Sequence, residues 1–327
     1  MRGIHKNCSR TLKSGLLLAI AFAPFFLQAT TLIHAGKLID GKSDKAQTKM
    51  TIVINDNLIT DVIKGYKNPK DDETYLDLKR HTVLPGLMDM HVHFGGEYQS
   101  KAERPSKVEK EMEAILATQD AYVTFFAGFT TVRQVGDSGM VAISLRDAIN
   151  QGKVVGPRIF TSGKSLATTG GHADPTNGRA VGKYDYPLPE DGVVNGPYEV
   201  YTAVRQRYKD GADGIKITVT GGVLSEAKSG SNPQFTQEEV NAVVNAAKDY
   251  GMWVAVHAHG AEGMKRAIRA GVDSIEHGTF MDEEAMELMI ENGTYYVPTI
   301  SAGEFVAAKS KIDNYFPEIV RPKAASV

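Results

Sequence analysis

Two histidines stand two apart at His91-Val-His93, and the spacing recurs at His257-Ala-His259. Single histidines stand at His172 and His277. Side chains of a β-strand alternate faces with period two, so residues two apart point the same way. A His-x-His on a strand therefore sets two imidazoles on one face, a few ångströms apart. Such a pair can hold one divalent ion through bonds of ~2.0–2.1 Å. A pair alone supplies only two of the three or four ligands a metal takes, and two hydrogen-bonded core histidines would look the same. The chemistry becomes sharper if His257 and His277, each closing its own apolar strand, converge on the same place as His91 and His93. His257 is taken as the ligand because it ends the apolar run. His259 lies one step nearer the loop and therefore nearer a substrate, and the reverse assignment stays open.

Lys216 is the unusual neighbour. Ile215 and Ile217 flank it on the opposite face of a short apolar strand, so the ammonium should point inward. A buried ammonium is costly, and burial drives its pKa down. A neutral amine can add carbon dioxide to give a carbamate, an anion able to bridge two metals. The competing reading pairs Lys216 with Glu226 or another acid. The Gly-rich loop Thr169-Gly-Gly-His172-Ala-Asp174 brings a further histidine and a carboxylate, with glycines that permit close backbone approach. An ordinary turn with a surface histidine is the alternative there.

These residues must be positioned by strands, and the chain supplies them. From Leu84 onward, apolar strand-like runs alternate with stretches of helical period. The strands are expected at 86–93, 130–135, 158–161, 214–218, 253–257, 274–277 and 295–300. A helix over 236–251 carries a capping box, Thr236 with Glu239, and ends at Gly251. Runs at 261–271 and 282–293 behave alike. Alternation of this kind implies a parallel sheet, and a long series favours a (β/α)8 TIM-like barrel, with an open doubly wound sheet as runner-up. No G-x-G-x-x-G follows the first strand, which disfavours dinucleotide binding. The long segments 162–196 and 220–233 each follow a strand. In a barrel they would lie over the C-terminal mouth, where active sites sit.

Upstream the pattern changes. Residues 30–84 contain short β-branched runs separated by turn residues and read as a small antiparallel sheet, a β-sandwich-like satellite. Residues 1–29 combine Arg2, Lys6, Arg10 and Lys13, an apolar run of about 13 residues from Gly15 to Leu27, and a small residue at Ala29. That reads as a secretory signal peptide and implies a secreted or periplasmic protein with no stable membrane anchor after cleavage. The run is shorter than the ~20 residues a spanning helix needs. The barrel domain is then 85–327.

Composition removes several classes. The 327 residues carry 37 basic and 39 acidic side chains, a net charge of −2, which argues against a nucleic-acid partner. Cys8 is the single cysteine, so neither a disulfide framework nor a cysteine zinc site is available. A hydrophobic fraction of 42% is that of a globular chain.

Taken together, Leu84-Pro-Gly-Leu-Met-Asp-Met-His-Val-His93, Ala127-Gly-Phe-Thr-Thr-Val-Arg133, Gly156-Pro-Arg158, Thr169-Gly-Gly-His172, Ile215-Lys-Ile217, Val256-His-Ala-His-Gly260 and Ala270-Gly-Val-Asp-Ser-Ile-Glu-His-Gly278 resemble the amidohydrolase superfamily. The likeness is to its imidazolonepropionase-like branch of metal-dependent dipeptidases and carboxypeptidases, and it runs from about residue 35 to about residue 298. The resemblance implies two divalent metal ions, zinc being expected. His91 and His93 would hold one ion, His257 and His277 the other, with carbamylated Lys216 bridging them. A hydroxide shared by the metals would attack an amide carbonyl of a small peptide or amide substrate. His172 and His259 match substrate-facing positions. The His-Ala-His form looks closer to members that remove C-terminal basic residues than to those cleaving before proline. A cyclic amidohydrolase is a second reading, disfavoured because that branch lacks the bridging lysine. An inactive relative is a third.

One departure stands out. The resemblance implies an Asp at the end of an eighth barrel strand, as ligand and proton shuttle. No Thr-Asp-Ala-Gly-like segment follows Ile300, so no catalytic proton shuttle is assigned within the chain and the sequence is expected to be a C-terminally truncated fragment. Asp282 and Asp313 lie in helix or loop contexts and are poor substitutes. Homo-oligomerisation stays open.

Overall fold

The computed structural model describes residues 30–96, 110–178, 182, 186–226 and 228–327. The signal-peptide reading of residues 1–29 and Cys8 lie outside them. The chain divides into two units at Pro85/Gly86.

The first unit is one four-stranded sheet: β1 (Thr30–Leu38), β2 (Gln47–Asn55), β3 (Leu58–Lys64) and β4 (Thr74–Val83), ordered β3-β2-β1-β4. β2 and β3 form a hairpin whose two-residue turn sets Asp56 at φ 55°, the left-handed backbone that Asp and Asn tolerate. The antiparallel expectation holds for β1–β2 and β2–β3 only. β4 runs parallel to β1. The connection after β3 carries the chain across the sheet to its far edge, so β4 re-enters in the direction of β1. Ala35, Leu38, Met50 and Ile52 form the buried apolar cluster of the sheet. A second sheet to complete the expected sandwich is not among the described residues.

The second unit alternates strands and helices. Its strands are β5 (Leu87–Val92), β6 (Phe129–Gln134), β7 (Arg158–Thr161), β8 (Gly214–Thr218), β9 (Trp253–Gly260), β10 (Ser274–Phe280) and β11 (Tyr295–Val297). Its helices are α1 (Lys110–Phe126), α2 (Val141–Asn150), α3 (Pro197–Asp210), α4 (Gln237–Asp249), α5 (Ala261–Ala270), α6 (Glu283–Asn292), α7 (Ile300–Ser310) and α8 (Arg321–Ala324). The strands form two parallel sheets, β5-β6-β7 and β8-β9-β10-β11. A parallel bridge between Leu166 and Ile217 extends the pairing from the segment after β7 to β8. This is a mixed α/β fold with parallel sheets, consistent with a TIM-like barrel. Among the described residues, β5 and β11 are each paired on one side. The expected strand at 295–300 ends early: Thr299 turns left-handed, with φ 49°, and α7 begins at Ile300.

Local sequence explains the helix bounds. Thr236 Oγ1 accepts from the Glu239 backbone and Glu239 Oε2 accepts from the Thr236 backbone, closing the capping box. Helices α5 and α6 end on Gly271 and Gly293, both left-handed. The main core lies between β8–β10 and helices α3–α6. Ile215, Ile217, Val254, Val256 and Ile275 meet Val204, Val243, Met264 and Ile268 there. Strands covered in this way carry near-continuous apolar runs, as parallel strands do.

Candidate metal centre

Alternation on β8 and β9 decides which residues escape that core. Ile215, Ile217, Val254, Val256 and Ala258 belong to the helix-facing core. Lys216, His257 and His259 take the other face. Lys216 is 3% exposed, and burial lowers its pKa to about 8. The Glu276 charge partly restores it, while Arg133 lowers it further. Glu226, expected as one partner of Lys216, stands by Gly178 instead. A drop from 10.5 to about 8 corresponds to a cost of about 3 kcal/mol. The two fully buried isoleucines beside Lys216 contribute about 1.5–3 kcal/mol each, enough for the strand to carry that cost.

β10 does something alternation alone does not predict. Ile275 faces the core, so period two would send His277 there as well. His277 instead adopts φ 72°. The left-handed step returns its ring to the side occupied by the other histidines, and the pairing with β9 shifts register just beyond it. Non-glycine residues seldom adopt this conformation, and such strain persists where the surroundings hold it. Here the His277 Nδ1 lies 2.8 Å from Thr299 Oγ1, and the Tyr296 hydroxyl donates to the His277 carbonyl at 3.0 Å.

The six expected histidines meet. Ring centroids run His93–His91 5.1 Å, His91–His277 4.8 Å, His277–His257 4.7 Å, His277–His259 5.1 Å and His257–His172 4.3 Å. His257 and His259 are also in contact, at 4.8 Å, so both alternatives for the ligand lie in one cluster. Gly222 lies against His172: a β-carbon there would come within 2.1 Å of the ring. His172 therefore requires a glycine at 222. Burial lowers every one of these imidazoles. His93 and His259 fall to about 4 and His172 to about 3, while His91, His257 and His277 fall well below 6.5. The Lys216 charge reinforces each shift. At neutral pH the imidazoles are uncharged, the form that binds metals.

Hydrogen bonds show which nitrogens carry lone pairs. His93 Nδ1 donates to the Gly136 carbonyl at 3.0 Å, because a carbonyl can only accept. His91 Nδ1 donates to Glu276 Oε2 at 2.7 Å, since that carboxylate already accepts from Arg133 and Ser274. Both Nε2 atoms are then bare, yet they stand 3.2 Å apart. Two lone pairs at that separation repel unless a cation lies between them. Two ligands at ~2.0–2.1 Å from one metal, roughly at the tetrahedral angle, place their nitrogens about 3.2–3.4 Å apart. The His91–His93 pair therefore fits a divalent ion. His257 Nε2 donates to the Gly221 carbonyl at 3.1 Å, leaving Nδ1 as its bare nitrogen. Among the described residues, no three His, Cys, Asp or Glu side chains are arranged around one ion position. The expected set includes a modified lysine, which lies outside those four residue types.

The carboxylates resolve differently. Asp174 is buried and accepts from the backbone of Gly170 and from the backbone and hydroxyl of Thr176. It shapes the loop that carries His172 and has no free role at the mouth. Asp282 caps α6 and pairs with Lys265, and Asp313 pairs with Arg321, so neither stands in for the expected shuttle. Glu276, Arg133, Ser274 and Thr299 support the site without being expected there from the sequence. Charged residues inside otherwise apolar strands were the available signal for Glu276 and Arg133.

The sequence matches the model of the amidohydrolase family over residues 82–318, and the chain belongs to that family. It is similar to ochratoxinase of Aspergillus niger, 32% identical over 299 residues, covering 86% of this chain and 61% of the relative. The chain thus spans about three fifths of that relative's length. Among solved structures it resembles a Xaa-Pro dipeptidase with bound methionine in the active site: 81% identity, TM-score 0.90, covering 91% of this chain and 74% of the other. A prolidase complexed with N-methylphosphonate-L-proline is 32% identical with a TM-score of 0.80, covering 91% and 73%.

Proposed function

We propose that the chain belongs to a metal-dependent dipeptidase of the periplasm or extracellular space. The fold would be a TIM-like barrel, and hydrolysis of an amide bond between two residues would be the reaction. His91 and His93 would hold one divalent ion, zinc being the expected metal, and His257 and His277 the other, with carbamylated Lys216 between them. The observation that carries the reading is the pair of bare Nε2 atoms of His91 and His93, 3.2 Å apart. Metals held here would supply an activated water and polarise a carbonyl. The chain's own contribution is positional. Glu276, Gly136 and Gly221 bind one nitrogen of each of three imidazoles and leave the other with its lone pair. His172 and His259 face the substrate from the loop after β7 and the end of β9. Burial lowers the Lys216 pKa to about 8 and so enlarges the neutral fraction that carbamate formation requires.

The 81% identical Xaa-Pro dipeptidase favours dipeptides with proline in second position over the C-terminal basic residues suggested by His259. A dipeptide panel decides the matter with the protein stripped of metal and then reconstituted. The expected result is zinc-dependent cleavage of Xaa-Pro dipeptides. Zinc-independent cleavage, or none in a folded and metal-loaded protein that includes the chain, would refute it.

A further inference from the structure

The cross-site contacts of Glu276 have no counterpart among the expected ligands. The side chain is fully buried. Its Oε2 accepts from His91 Nδ1 at 2.7 Å. Its Oε1 accepts from Arg133 Nη2 at 2.5 Å and from the Ser274 hydroxyl at 2.6 Å. Arg133 in turn donates through Nη1 to Ser274 Oγ at 3.0 Å and through Nε to the Met90 carbonyl at 2.9 Å, and its guanidinium lies over the Trp253 ring at 5.3 Å. Strands β5, β6 and β10 are thereby tied by one polar network in which each of the three guanidinium nitrogens of Arg133 donates to an acceptor. A guanidinium cannot accept and a carboxylate cannot donate, so the network has a single direction. It ends at His91 Nδ1–H.

We propose that Glu276, held by Arg133 and Ser274, is a positioning residue that locks His91 in the tautomer whose Nε2 lone pair faces His93, and so sets the affinity of that site for a divalent cation. The proposal rests on reading His91 as a metal ligand. A carboxylate or carbonyl behind a ligating imidazole typically changes metal affinity by about 10–100-fold. In Glu276→Gln, the amide oxygen is drawn to the guanidinium, which always donates. The amide NH2 must then face His91, whose Nδ1 becomes an acceptor and whose Nε2 takes the proton. The second lone pair at the site is lost without moving a ligand.

Two measurements test this. Zinc is titrated into the metal-free protein against a competing chromophoric chelator, and nitrogen-15 spectra of labelled histidine report the tautomer of His91 in the absence of metal. The wild type is expected to show Nδ1–H at His91. Glu276→Gln is expected to show Nε2–H and to bind zinc about 10–100-fold more weakly. If Glu276→Gln does not fold, the double variant Arg133→Met/Glu276→Leu removes the buried cation together with the carboxylate, leaves His91 Nδ1 without its acceptor, and should show the same loss of zinc affinity. A folded variant with unchanged zinc affinity, or with His91 still Nδ1–H, overturns the role of Glu276 alone. A wild type that binds no zinc overturns the metal reading and this proposal together.

Discussion

Replacing Lys216 by methionine should make the metal-free protein more stable while removing activity. The magnitude follows from burial. The folded-state pKa of Lys216 is about 8 against 10.5 when unfolded. Below pH 8 the folded chain must carry a buried ammonium that the unfolded chain keeps in water, so the cost is fully present there. Between pH 8 and 10.5 the unfolded state binds more protons, and wild-type stability rises with pH by about 3 kcal/mol in total. Methionine is of similar length and needs no solvation. At pH 7 Lys216→Met should therefore gain about 2–3 kcal/mol, less whatever Glu276 loses with its neighbour, and about 5–10 °C in Tm. The gain should shrink toward zero by pH 10.5. Denaturant melts of chelator-treated wild type and variant at pH 7 and pH 10 measure both. A variant less stable than wild type at pH 7, by an amount independent of pH, would refute the reasoning.

Other expectations concern the histidines and their supports. Because His93, His259 and His172 titrate near 4, 4 and 3 when folded, the unfolded chain takes up protons first as pH falls. Metal-free stability should drop between about pH 6.5 and pH 4, and His93→Gln should flatten that slope in pH-dependent unfolding. Thr299→Gly removes the 2.8 Å partner of His277 but relieves a β-branched residue at φ 49°. Its thermal stability should hold within about 1 kcal/mol while zinc affinity falls roughly tenfold, read by chelator competition. Gly222→Ala drives a methyl into the His172 ring. It should lower kcat/KM at least about tenfold, as displaced substrate-positioning groups do, with zinc content unchanged by elemental analysis.

Much of this is legible in the sequence. Period two separated Lys216 from Ile215 and Ile217, and His257 and His259 from Val256 and Ala258, because covered parallel strands leave their faces distinct. Gly and capping residues marked helix ends at 236, 271 and 293 for equally local reasons. His277 was named as a site residue, yet its orientation was not readable. Alternation sends it into the core, and only the left-handed backbone at φ 72°, held by Thr299 and Tyr296, returns it. Glu276 and Arg133 were visible as charges inside apolar strands. Their pairing joins residues 143 apart in sequence, which local pattern does not encode. The parallel placement of β4 against β1 was missed for the same reason.

The most direct test of the account is the divalent metal content of the protein after exhaustive dialysis, measured beside His91→Ala and His257→Ala variants. The account predicts about two zinc ions per wild-type chain and a loss in each variant, because each removes a ligand from a different ion. A folded wild type containing no divalent metal, with amide hydrolysis intact, would contradict it.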